Sequence, residues 1–177
     1  AAIMVFSVVA VGASFAGSAA ADSSSVVVGS DGYDTIQTAI DEEGSNTTII
    51  VQDGEYSNFV VDASNVTIAA ADGANPTISG TASFQSYPAT VSISANQVTL
   101  SGLNIDTGGV GIYVVAGTSN IELTDNSIEV PSGVSGEANG ILTEYGGISD
   151  LTIHNNTFTT PHGDAYNHIY VGGGSSD

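Results

Sequence analysis

The side chains able to act on a substrate or hold a metal gather late in the chain. His154, His162 and His168 are its only histidines. Imidazole changes charge near neutral pH and is a common metal ligand. Together with Asp164 these three are the candidate metal ligands; the alternative is that His154, in a turn, and His162, in a loop after Pro161, do not converge. Cleaving a glycosidic bond needs two carboxyl groups flanking the scissile oxygen. The carboxylates on or beside the repeated strands are Asp106, Glu122, Asp125, Glu129, Glu144, Asp150 and Asp164. Of these, Asp125, Glu144 and Asp164, with His154, are the catalytic candidates. The alternative for each carboxylate is a solvated outer face. No motif calls for an organic cofactor. Ca²⁺, which prefers oxygen ligands such as Asp and Asn at turns, is the one cofactor the sequence accommodates. Tyr113, Tyr145, Tyr166 and Tyr170 offer either stacking platforms for sugar rings or packing.

Composition narrows the partners. The chain of 177 residues carries 19 Asp plus Glu and neither Lys nor Arg, a formal net charge of -19. Nucleic acid is excluded as a partner, because counterion release from phosphates needs Lys or Arg. Anionic lipid surfaces are disfavoured for the same reason. Such a charge repels itself, so compact folding is easier where salt shortens the screening length. The acidic residues are dispersed and the apolar ones strongly patterned, which argues against charge-driven disorder. With no Cys, disulfides, thiolate catalysis and Cys-based metal sites are excluded.

The N-terminus reads as an export signal. The apolar run from Ile3 to Val11 is followed by small residues and Ala19-Ala20-Ala21, the pattern of a secretory h-region and cleavage site. Gly and Ser dilute the run, which makes it a weak membrane span. The expectation is a signal remnant over residues 1–21 and one domain over 22–177, truncated at its C-terminus, in a secreted or cell-surface protein. Membrane contact would then come only through an uncleaved N-terminal segment or a missing C-terminal anchor. Three N-x-S/T triplets, at Asn46, Asn65 and Asn155, are glycosylation acceptors that agree with export.

The elements that must position these residues are short. One helix is predicted over residues 35–43, capped by Asp34 with Gln37 three residues on, and closed by Gly44. Ile36, Ala39 and Ile40 form its apolar face. Beyond it lie β-branched runs of three to five residues with alternating polarity, separated by Gly, Asn, Asp and Ser. They repeat. Val98, Ile121 and Leu151 correspond in one register, and Val91, Ile112, Ile141 and Ile169 in another. Each repeat therefore holds two or three strands, with residues 129–139 bulging between them. Gly102, Asn126 and Asn156 fall at the matching turn, where stacked Asn126 and Asn156 would form a hydrogen-bonded ladder in left-handed geometry. Inward Val, Ile and Leu would stack into a continuous core.

These patterns resemble the pectin-lyase-like superfamily of right-handed parallel β-helices, over roughly residues 26–177. The carriers are Asp31-Gly32-Tyr33-Asp34-Thr35-Ile36-Gln37-Thr38-Ala39-Ile40, then Thr48-Ile49-Ile50-Val51-Gln52-Asp53-Gly54-Glu55-Tyr56. Residues 119–128 and 151–158 look like later coils of the same family. The resemblance implies an all-β solenoid with a short N-terminal capping helix. The signal and the acidic composition resemble those of exported haloarchaeal proteins. The superfamily includes lyases, hydrolases, epimerases and surface proteins, so it specifies fold better than activity. Its lyases use Arg or Lys as base, and this chain has neither. Its hydrolase signature of paired Asp with Gly-His-Gly is absent. The expectation is thus a module that contacts polysaccharide or cell-surface glycan, or serves structurally, without catalysis in this segment. The alternative is the N-terminal part of a polysaccharide-degrading enzyme with its catalytic coils downstream.

Overall fold

The computed structural model describes residues 24–84, 87–130, 138–144, 146–160 and 167–172. The N-terminal segment expected to be a signal, His162, Asp164, Tyr145 and Tyr166 lie outside these residues. The chain opens with β1 (Ser24–Val28) and the helix α1 (Ile36–Glu43). Five circuits follow. The first is β2 (Thr47–Val51), β3 (Glu55–Ser57) and β4 (Phe59–Val61). The second is β5 (Val66–Ala70), β6 (Thr77–Ser79), β7 (Ala82–Phe84) and β8 (Tyr87–Ile93). The third is β9 (Val98–Ser101), β10 (Asn104–Asp106) and β11 (Val110–Val114). The fourth is β12 (Ser119–Thr124), β13 (Ser127–Glu129) and β14 (Asn139–Thr143). The fifth is β15 (Ser149–His154), β16 (Thr157–Thr159) and β17 (Asn167–Val171).

The fold is all-β, with this one helix and three parallel sheets. Sheet A runs β1-β2-β5-β9-β12-β15, sheet B runs β3-β6-β10-β13-β16, and sheet C runs β4-β8-β11-β14-β17. β7 adds to sheet C as the one antiparallel partner among the described strands. Each circuit visits A, then B, then C, and each strand pairs with its counterparts one circuit away. That arrangement is consistent with a parallel β-helix.

Register follows the sequence repeat. Ile121 pairs with both Val98 and Leu151, and Ile112 with both Val91 and Ile141, which in turn pairs with Ile169. A shift of one residue would turn these aliphatics out to water, so burial fixes the pairing. Inside, like residues lie over like. Val66, Val98 and Ile121 form one buried row, Ile68, Leu100 and Leu123 the next, and Ile78, Ile105 and Ile128 the row of sheet B. Each such side chain contributes about 1.5–3 kcal/mol by leaving water. Repeats carry three strands rather than two. The described ends of the 129–139 segment are strand, since Glu129 closes β13 and Asn139 opens β14.

The corners explain how the chain turns between sheets. All seven non-glycine residues with positive φ among the described ones fall at two corners. Asn46, Asn65 and Gln97 immediately precede sheet A strands and Asn120 and Asp150 are the second residues of β12 and β15, all with φ between 55° and 66°. Asp125 and Asn155 follow sheet A, at φ 56° and 55°, in register with Gly102 at φ 71°. Short polar side chains tolerate this left-handed geometry, which costs other residues roughly 1–2 kcal/mol. The expected turn alignment is thereby corrected by one residue. Gly102 matches Asp125 and Asn155, whereas Asn126 and Asn156 match Leu103 and have negative φ.

α1 lies against β1, β2 and β4 with Ile36, Ala39 and Ile40 buried. Its cap is Thr35 rather than Asp34. Thr35 has extended φ and ψ, and its hydroxyl accepts from the Thr38 amide at 3.0 Å. Gln37 does not complete a capping box. Its amide oxygen accepts from Val60 N at 2.8 Å, and its amide nitrogen donates to Asp41. Gln37 thus pins the helix to sheet C.

Candidate functional site

The three outer faces differ in chemistry. In sheet B every strand has one inward side chain flanked by two outward ones. The outward rows read Glu55, Thr77, Asn104, Ser127, Thr157 and Ser57, Ser79, Asp106, Glu129, Thr159. All are polar, and the second row is exposed throughout. Neighbouring strands are spaced about 4.8 Å apart, so this face is a regular grid of hydroxyls, amides and carboxylates. Sheet C is the reverse. Val110, Tyr113, Val115 and Leu142 are buried with Ala89, under Phe84 and Tyr87 of the β7–β8 hairpin. The Tyr87 and Tyr113 rings lie 5.1 Å apart. The outward face of sheet A carries the row Ser25, Thr48, Thr67, Thr99, Glu122, Thr152.

On that last face, candidate residues converge. Glu122 and Thr124 are two apart on β12 and therefore point the same way. β15 places Thr152 beside Glu122 and His154 beside Thr124. His154 Nε2 lies 3.1 Å from Glu122 Oε1, and its Nδ1 lies 3.3 Å from Thr124 Oγ1. Thr124 Oγ1 donates to Asp125 Oδ2 at 2.9 Å. Two catalytic candidates, Asp125 and His154, are thus joined through a hydroxyl that sequence reasoning passed over. The signal was present, because the alignment of Ile121 with Leu151 also aligns Thr124 with His154. The network can move a proton along carboxylate, imidazole and hydroxyl. It sits on an open face, with Glu122 and His154 each about half exposed.

The other candidates do not join it. Glu144 follows β14 of sheet C, and its Oε2 accepts from Ala116 N at 3.1 Å. His168 lies on β17, its ring stacked on Phe158 with centroids 5.5 Å apart. His154 and His168 therefore belong to different sheets. Among the described residues, no group of three or more His, Asp or Glu is placed to hold a metal ion. The described part of the candidate metal set, His154 and His168, does not converge. Asp106 and Glu129 stand side by side in sheet B, and Asp150 occupies a left-handed corner.

The amide ladder is formed at one corner. Asn126 Nδ2 donates to Asn156 Oδ1 at 3.0 Å and to Leu100 O at 3.0 Å, while its Oδ1 accepts from Leu103 N. A second amide pair exists at the other corner, where Asn65 Nδ2 donates to Asn46 Oδ1 at 2.9 Å. The acceptor residues Asn46, Asn65 and Asn155 are all exposed.

Tyr113 is fully buried, so it offers no platform for a sugar ring. Burial, with the Glu144 carboxylate adding to it, holds its phenol well above the ordinary range. Its hydroxyl makes no hydrogen bond among the described residues. Tyr33 donates to Glu43 Oε1 at 2.6 Å, and this bond pushes its phenol up to about 12.

No family model, no curated protein and no solved structure matches this chain. Among the described residues, no helix is long and apolar enough to cross a membrane.

Proposed function

We propose that this chain is a right-handed parallel β-helix of the pectin-lyase-like kind, a solenoid closed at one end by α1. In this reading it is a secreted or cell-surface module that contacts glycan without chemistry of its own. The rotation through sheets A, B and C supports the solenoid. Parallel crossovers within a sheet are almost always right-handed, which supports the hand. The observation that carries the function is the outward face of sheet B, a regular polar grid without a cation. Hydroxyl and amide groups suit the hydroxyls of an uncharged polysaccharide, whereas uronate or sulfated chains would meet Glu55, Asp106 and Glu129 with like charge. The exposed corner positions of Asn46, Asn65 and Asn155 agree with export.

Binding of the purified chain to neutral and to acidic polysaccharides, measured at high salt, tests the reading. Neutral glycan should bind, and the variant Thr77→Ala/Asn104→Ala/Ser127→Ala should bind it several-fold more weakly. Retention of acidic glycan alone would refute it. A second reading, the N-terminal part of a polysaccharide-degrading enzyme, draws on the Glu122–His154–Thr124–Asp125 network. Release of reducing or unsaturated sugars, lost in His154→Gln, would favour that reading instead.

A further inference from the structure

The network at His154 has a property that separate residues would not have. Thr124 has a single proton to donate, and it goes to Asp125 Oδ2 at 2.9 Å. Its oxygen then faces His154 Nδ1 as an acceptor at 3.3 Å. On the other side, the ionised Glu122 carboxylate faces Nε2 at 3.1 Å and can only accept. All three contacts are hydrogen bonds at once only if both ring nitrogens donate, and only the imidazolium does so.

We infer that His154 is a proton-operated clasp between β12 and β15, one that also sets the direction of the Thr124 hydroxyl. With the ring doubly protonated, Glu122, His154, Thr124 and Asp125 form one continuous chain across the two strands. When the ring gives up a proton, one of two things happens. If Nε2–H remains, Glu122 keeps its bond, Nδ1 becomes an acceptor, and the Thr124 hydroxyl turns from Asp125 to the ring. If Nδ1–H remains, Thr124 keeps its bond and the Glu122 contact is lost. In the first case both cross-strand bonds survive but the Glu122 bond loses the ring's positive charge and Asp125 loses the hydroxyl; in the second the Glu122 bond itself is lost, so the tie between the two strands weakens either way.

The setting gives the proton its effect. The chain has no Lys or Arg, so histidine supplies its only side-chain cation. Among the described residues, His154–Glu122 is the only side-chain pair of this kind. The charged groups that face the ring are Glu122 and Asp125 from the β12 side. Thr99 and Ser101, outward on β9 beyond, carry no charge. Asp150 lies four residues back along its own strand, at the corner. No competing cation is present among these neighbours.

The test uses the full chain, labelled with ¹⁵N and ¹³C, between about pH 5 and 8. After correction for intrinsic exchange, the amides of Leu151 to His154 should exchange about two- to five-fold more slowly on the acid side. That is the range an exposed ion pair supplies. The difference should flatten in Glu122→Gln and in His154→Gln, which fold because both side chains are about half exposed. In the parent chain the Asp125 carboxyl carbon signal should move as His154 titrates, and in Thr124→Val it should not. An equal pH dependence of exchange in the parent and in His154→Gln would overturn the clasp. An Asp125 signal that follows His154 equally well in Thr124→Val would overturn the role of the hydroxyl.

Discussion

At the scale of single residues, Asn126 replaces backbone partners at a corner where the strands no longer pair. Its side chain satisfies Leu100 O and Leu103 N, both buried, and passes a bond on to Asn156. Asn126→Ala leaves these groups unpaired, at about 1–3 kcal/mol for each one orphaned. Chemical denaturation should show that loss, and Asn126→Asp should recover only the bond accepted from Leu103. Tyr33 predicts a pH effect. The fold holds its phenolic proton more tightly than the unfolded chain does, because the bond to Glu43 raises it to about 12. This contribution is fully present below about pH 10, the ordinary phenol value, and is lost as pH rises through about 12. Tyr56 and Tyr113, raised chiefly by burial, act in the same direction. Stability measured against pH should therefore fall on this alkaline limb, and less steeply in Tyr33→Phe. Asn126 and Asn156 were legible as partners because like turn residues recur in like places. The left-handed residue was misplaced by one, since both Asp125 and Asn126 are residue types that such a turn accepts. Thr124 was missed, although the repeat alignment already set it beside His154, because hydroxyl residues such as Thr48, Thr67 and Thr99 recur along the same face and nothing in the residue type singles one out.

At the scale of elements, the sheets differ in how plainly they were written. Most strands of sheets A and C have two inward apolar residues, such as Val98 and Leu100 or Ile112 and Val114, enough to fix a period of two and hence a register. Sheet B has one, such as Ile105 or Ile128 between polar neighbours, and a single apolar residue defines no period. That is why a three-strand repeat reads as two or three. α1 was legible from Ile36, Ala39 and Ile40. Its cap was not, because Asp34 and Thr35 are both good capping types and only the backbone angles choose between them. Two predictions belong here. Gly140 admits no side chain, since a Cβ there would lie 2.5 Å from His168 O and 2.7 Å from the Phe158 ring. Gly140→Ala should destabilise by about 1–3 kcal/mol or more through overpacking, read from the denaturation midpoint. Gln97 is the one long side chain in its left-handed column, at φ 57°. Gln97→Gly should stabilise by about 0.5–1 kcal/mol, the relief of left-handed strain less the added freedom of the unfolded chain. A lower midpoint in that variant would contradict the corner argument.

At the scale of the whole molecule, charge and layering set the behaviour. A net charge of -19 with no Lys or Arg opposes compaction wherever it is unscreened. Thermal unfolding followed from low to molar salt should show a rising midpoint, by about 2–4 °C for each kcal/mol of repulsion removed. An unchanged midpoint would mean that the carboxylates are spaced widely enough to ignore one another. The register also shows how such a molecule can vary. Thr47 pairs with Val66, 19 residues on, while Val66 pairs with Val98, 32 residues on. The ladder stays in step although one circuit is far longer than the other. In the longer one the surplus contains the β7–β8 hairpin, which folds back over sheet C. Length is thus decoupled from alignment. New segments can be grafted where the backbone bends, each acquiring its own shape, while the stacked interior below neither stretches nor slips.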